Sequence, residues 1–147
     1  MLGNHDAIRN DTPDEALADK LGDPKELFVT SHTHTPLVRE HGGTLIVNTG
    51  SVGSPFDRDP RACYAQLSFS RGRWRARLRR LPFDRAQAER DFFDSGFMEG
   101  AGPLARVMLA EFHQTRGLMG RWMREYYQPV LNGELTLAEA VDRYLRA

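Results

Sequence analysis

The sequence predicts an α/β (α+β) fold, with strands concentrated between residues 27 and 81 and helices after residue 84. Three observations carry that reading. Short apolar or alternating runs, bounded by Gly, Pro, Asn and Asp, fill the middle of the chain. Apolar residues at helical spacing fill its end. Two strings have the form of a capping box, Thr12-Pro13-Asp14-Glu15 and Thr136-Leu137-Ala138-Glu139. At 147 residues the chain is long enough for one domain with a core of its own.

The elements follow in order. Thr12 reads as a helix cap, with Pro13 in the first turn and Glu15 placed to close the box. Ala16, Leu17, Ala18 and Leu21 then give a short helix that Gly22-Asp23-Pro24 stops. Leu27-Phe28-Val29-Thr30 is a brief buried strand that empties into Ser31-His32-Thr33-His34-Thr35-Pro36. Leu37–Glu40 and Thr44–Val47, joined by His41-Gly42-Gly43, read as a hairpin, and Asn48 through Pro55 as a loop. Ala62–Phe69 turns at Ser70-Arg71-Gly72 into a strand from Arg73 to Leu81. In that strand Arg73, Arg75, Arg77 and Arg79 fall on one face, opposite Trp74, Ala76, Leu78 and Arg80. Asp84 caps a helix through Phe93, which Ser95-Gly96 ends. Leu104–Phe112 and Leu118–Tyr127 follow as helices punctuated by Gly117, Gly120 and Pro129, and the second capping box opens a last helix to Ala147.

Composition excludes several roles. Twenty basic residues balance twenty acidic ones, so no global field attracts nucleic acid or an anionic membrane. The arginine row of residues 73–79 reads as the solvated face of a half-buried strand, and nucleic acid ranks low as a partner. No apolar stretch approaches the roughly 18–20 residues needed to span a bilayer. The lone Cys63 offers no disulfide framework, which points to a cytoplasmic setting.

Three strings concentrate metal-friendly side chains: Gly3-Asn4-His5-Asp6, Ser31-His32-Thr33-His34 and Asn48-Thr49-Gly50-Ser51. Imidazole nitrogen with amide or carboxylate oxygen suits manganese, iron, zinc, cobalt or nickel. Each string alone has a plainer explanation: two histidines on a solvated face, or a polar turn. Their order is the informative part.

That order resembles the C-terminal half of the calcineurin-like metallophosphoesterases, in particular the small bacterial phosphodiesterase/phosphatase branch. The family's Gly-Asn-His-Asp motif matches Gly3–Asp6 in full. Its Gly-His-Thr-His motif matches Ser31–His34 with serine for the first glycine, and its Asn-Pro-Gly-Ser loop matches Asn48–Ser51 with Thr49 for proline. The likeness extends to about residue 97. It implies a partial metallophosphoesterase β-sandwich with flanking helices over residues 1–97, and a helical C-terminal extension over 98–147 packed on it. It further implies hydrolysis of a phosphomonoester or phosphodiester substrate at two divalent ions, manganese first among Fe, Zn, Ni and Co. Asn4, His32 and His34 would then be metal ligands. His5 would protonate the leaving alkoxide, and Asp6 would orient a neighbour.

The family's pattern also includes an Asp-x-His string, a bridging aspartate in a Gly-Asp string, and a further histidine between the asparagine and the His-x-His pair. Here only Met1 and Leu2 precede Gly3, and no histidine lies between Asp6 and Ser31. The expectation is therefore weak metal binding and little or no activity from this chain alone, as in a truncated gene model or a decayed copy. The alternative is a non-catalytic remnant acting as a protein-interaction module. It would self-associate through an exposed sheet edge or through the C-terminal helices, where Phe112, Leu118, Met119, Trp122, Met123, Tyr126 and Tyr127 offer apolar area. Intramolecular packing is the simpler use of that set.

Overall fold

The computed structural model describes residues 7–23 and 25–147. Asn4, His5 and Asp6, and the helix-stopping Pro24, lie outside the described residues. By contacts the chain divides into two compact units, Met1–Pro82 and Phe83–Ala147.

The first unit runs α1 (Asp14–Leu21), β1 (Leu27–Thr30), β2 (Leu37–His41), β3 (Thr44–Asn48), β4 (Ala62–Ser70) and β5 (Arg73–Leu81). β3 is the middle strand of a mixed sheet, parallel to β1 and antiparallel to β2. All five of its residues are buried. A strand covered on both faces needs no polar alternation, which is why Thr44–Val47 reads as a continuous apolar run. Phe28, Ile46 and Leu37 form one face of this sheet, and Ile8, Leu17 and Leu21 pack against it.

Both hairpins turn on two residues at positive φ. Gly42 and Gly43 (55° and 82°) join β2 to β3, and Arg71 and Gly72 (52° and 71°) join β4 to β5. Such mirror-image turns match the twist of the flanking strands. His41 consequently ends β2, paired with Thr44, and does not belong to the turn. Along β5 the arginines at 73, 75, 77 and 79 are exposed while Trp74, Ala76, Leu78 and Arg80 are half-buried, as the period of two predicts. Arg75 donates to Ser70 Oγ at 2.7 Å and Arg79 to Gln66 Oε1 at 2.8 Å.

The start of α1 differs from expectation. No side chain caps it, and Pro13, with ψ of 149°, is the cap residue. The Thr12 hydroxyl instead accepts from Arg9 N at 2.8 Å, closing a turn upstream of the helix. Thr12 thereby serves the nearer donor, and the box with Glu15 does not form.

The second unit is helical: α2 (Arg85–Asp94), α3 (Phe97–Gly100), α4 (Leu104–Gln114), α5 (Met119–Leu131) and α6 (Leu137–Arg146). With two small sheets and six helices among the described residues, the mixed class read from the sequence is borne out. Asp84 accepts from Gln87 N and caps α2, and Thr136 with Glu139 forms the full capping box of α6. Trp122 is buried with Val107, Ala140, Val141 and Tyr144, and Leu118, Met119, Met123, Tyr126 and Tyr127 pack around them. The aromatic and methionine set thus builds this unit's own core. Pro129 does not end α5, which continues to Leu131. Its fixed φ is helical, it removes one hydrogen bond near the helix end, and Val130 beyond it packs into the core.

The N-terminus of α5 is held by a group the sequence did not advertise. Glu111, 7% exposed on α4, accepts from both Leu118 N and Met119 N at 2.7 Å. A carboxylate there satisfies two orphan donors and faces the positive end of the helix. Glu111→Ala should lower the stability of the helical unit by roughly 2–4 kcal/mol, read as earlier loss of helical circular dichroism in urea. Glu111→Gln keeps an acceptor and should lose less. An alanine variant indistinguishable from wild type would show that the carboxylate contributes nothing as a cap.

Candidate metal centre

The histidine string leaves β1 through a β-turn. His34 N donates to Ser31 O at 3.0 Å, placing His32 and Thr33 at the two corners. His32 is exposed and has no hydrogen bond or ion pair among the described residues. His34 is half-buried and tightly held. Its Nδ1 lies 2.8 Å from Ser54 O, its ring stacks on Phe56 with centroids 4.7 Å apart, and its own carbonyl accepts from Phe56 N at 3.1 Å. A carbonyl can only accept, so Nδ1 carries a proton, and in the neutral ring Nε2 presents a lone pair. This is how imidazoles that ligate metals are oriented and made more basic.

His34 also adopts φ of 53°, the left-handed region that a non-glycine residue occupies at a cost of about 1–2 kcal/mol. Its contacts to Ser31, Ser54 and Phe56 over-determine that conformation.

The third string is tied to the second by one side chain. Asn48, the last residue of β3, is fully buried. Its Nδ2 donates to Thr33 Oγ1 at 2.9 Å and its Oδ1 accepts from Gly50 N at 2.9 Å. Thr49 N extends the parallel ladder by donating to Thr30 O at 2.9 Å. Gly50 has φ of 73°, and a β-carbon there would stand 2.9 Å from Cys63 Cβ and 3.3 Å from Pro36 Cβ. Only glycine fits. Ser31, His34, Thr49, Gly50, Ser51, Val52, Cys63, Tyr64 and Ala65 line an open depression of about 430 Å³. Burial pushes the Cys63 thiol pKa up, so at neutral pH it is a packed thiol and not a thiolate ligand.

Of the site residues expected from sequence, His32 and His34 therefore share one turn, while Asn4, His5 and Asp6 lie outside the described residues. Among the described residues no cluster of three or more His, Cys, Asp or Glu side chains is arranged to hold a metal. Two imidazoles fit the chemistry of a divalent transition ion as part of a donor set, short of the three protein ligands a catalytic zinc ordinarily has. Sequence reasoning missed Thr33, Ser54 and Phe56. Ser54 acts through its backbone and carries no side-chain signal. Thr33, between two histidines, could have been found from its hydroxyl.

Residues 3–72, slightly under half of the chain, match the model of the calcineurin-like phosphoesterase superfamily domain. The resemblance read from the three strings is borne out over this stretch, which is similar to that superfamily's domain. A metallophosphoesterase from Sphaerobacter thermophilus aligns with a TM-score of 0.49 at 22% identity, over 63% of this chain and 44% of that one. The chain thus spans less than half the length of that solved structure. Among curated proteins none matches.

Asn48→Ala should destabilise the first unit by about 2–4 kcal/mol, because it removes two hydrogen bonds and strands a buried N–H. Gly50→Ala should cost at least about 2 kcal/mol through left-handed strain and overpacking. Urea titration followed by Trp74 fluorescence in a Trp122→Phe background measures both. Wild-type midpoints in both variants would mean that the two turns are not coupled through this corner.

Proposed function

We propose that this chain provides part of a two-metal phosphoesterase centre that hydrolyses phosphomonoesters or phosphodiesters. The observation that carries the reading is His34, with Nδ1 committed to Ser54 O and Nε2 left as a lone-pair donor on the turn that also bears His32. In this proposal His32 and His34 hold the two ions, Asn4 adds a side-chain oxygen, and manganese is preferred among Fe, Zn, Ni and Co. Two divalent cations, when bound, supply hydroxide at neutral pH and a clamp on phosphoryl oxygens.

The chain's own residues do the rest. His5 supplies the proton that the departing alkoxide needs. Asp6 orients a neighbouring side chain. The open depression beside His34 gives a phosphate ester access. The described chain holds no helix long and apolar enough to cross a membrane. A buried free thiol fits a reducing, cytoplasmic compartment.

Hydrolysis of p-nitrophenyl phosphate and its bis ester with added Mn²⁺ tests the reading, alongside Mn²⁺ titration by calorimetry. His32→Ala and His34→Ala should each reduce turnover and metal affinity by more than the roughly 10–100-fold that loss of a ligand-orienting partner costs. Metal bound through both histidines without turnover would select the non-catalytic alternative. Full Mn²⁺ affinity in both alanine variants would end the metal assignment.

A further inference from the structure

Arg80 is the one arginine of β5 that points inward, in the row of Trp74, Ala76 and Leu78. Its side chain is 17% exposed, and it pairs with Asp57, itself 20% exposed, through Nη2 and Oδ2. Its Nε lies 3.6 Å from Asp59 Oδ2, and its Nη1 donates to Arg61 O at 3.2 Å. One guanidinium thus gathers three successive points of the segment that enters β4. The other end of that segment is closed by Cys63 N donating to Ser51 O at 2.8 Å, with Cys63 directly opposite Arg80 in the hairpin. Inside the closed loop, Ser54 N donates to Ser51 Oγ at 3.0 Å and Pro55 is fully buried.

The His34 ring is held by Ser54 and Phe56, and Asp57 is the next residue along the chain. A single peptide bond therefore separates the group stacked on His34 from the carboxylate held by Arg80. From this we infer that Arg80 and Asp57 act together as positioning residues for His34, anchoring the Ser54–Phe56 segment so that the imidazole keeps one tautomer and one ring orientation. The inference rests on the reading of His34 as a metal ligand, which gives that fixed Nε2 lone pair its use.

Several features support a positional role over a merely cohesive one. The ion pair is largely removed from solvent, where its geometry is rigid and less screened than a surface pair. Asp57 Oδ1 is buried and accepts no hydrogen bond from any described residue, so Asp57 relies on the Arg80 contact at Oδ2. Asp59 is held by Arg61 through its backbone N–H at 3.1 Å, Nε at 2.9 Å and Nη2 at 2.7 Å. Those hydrogen bonds keep its carboxyl well below the usual carboxylate range, so it stays charged beside Arg80. The strained φ of His34 persists only with such external support.

The test reads the His34 imidazole directly, without metal. Long-range ¹H–¹⁵N spectra of the ¹⁵N-labelled chain should show a single Nδ1-protonated tautomer for His34. In Arg80→Met and in Asp57→Asn the same ring should show mixed tautomers, while methyl signals of Leu17 and Ile46 stay at their wild-type positions. Arg80→Lys should restore part of the single-tautomer population. Should Arg80→Met fail to fold, Asp57→Asn, which conserves shape, decides the matter. A His34 tautomer unchanged in both folded variants would overturn the inference. Mn²⁺ affinity of the same variants should fall roughly tenfold, as for other groups that orient a ligand. Mixed tautomers with unchanged affinity would instead overturn the metal reading of His34 and leave the clamp standing.

Discussion

The buried amide of Asn48 is the constraint on which the candidate centre depends. It sits where the end of β3, the turn after β1 and the tight turn into Thr49–Ser54 converge. A neutral amide offers a donor for Thr33 and an acceptor for the Gly50 N–H, with no charge to desolvate. An aspartate could not donate to Thr33, and an apolar side chain would leave the Gly50 N–H without a partner. The bond to Gly50 is buried and the one to Thr33 partly so, and away from water a satisfied polar pair is stiff and an unsatisfied one costly. The histidine turn and the glycine turn are thereby locked in register.

That register is what delivers His34 to Ser54 and Phe56. The turn residue pays a backbone strain, and the contacts that repay it also choose its protonated nitrogen. Conformation and chemistry are therefore set by the same few atoms. His32, two residues away, has no such hold and stands exposed at the corner of the turn. The two imidazoles differ in preorganisation: one is already aimed, and the other takes its orientation from whatever it binds.

Much of this was legible in the sequence, where local chemistry alone decides. Asp84, and Thr136 with Glu139, cap as read because their partners lie three residues away. The arginine row obeys a period of two because a hairpin enforces it. Thr12 misled because a second donor, Arg9 N, competed for its hydroxyl, and local pattern cannot rank two near partners. Pro129 misled because a proline near the end of a helix removes one hydrogen bond without stopping it, and Val130 beyond it still packs against the core. Glu111 was illegible, since its targets are seven and eight residues on and belong to another helix. At the site, the histidine and asparagine strings were visible as chemistry, but the use of Asn48 as a brace was not. Family likeness marks which residues matter and is silent about what each one touches.

Arg80 shows where more could have been read. Period two assigns it to the apolar row of β5, beside Trp74, Ala76 and Leu78. A guanidinium cannot deprotonate and is costly to bury unpaired, so an arginine in such a row demands carboxylates nearby. The sequence holds two candidates at the right place, Asp57 and Asp59, just upstream of the strand that pairs with β5. The misfit between a charged residue and its apolar neighbours was therefore information about a contact more than twenty residues distant in sequence. That contact is made, and it falls one residue from the aromatic ring that supports His34. An inward charge near a candidate centre is best treated as a question about what it holds in place, because the cost of burying it must be offset by a partner whose position then becomes fixed.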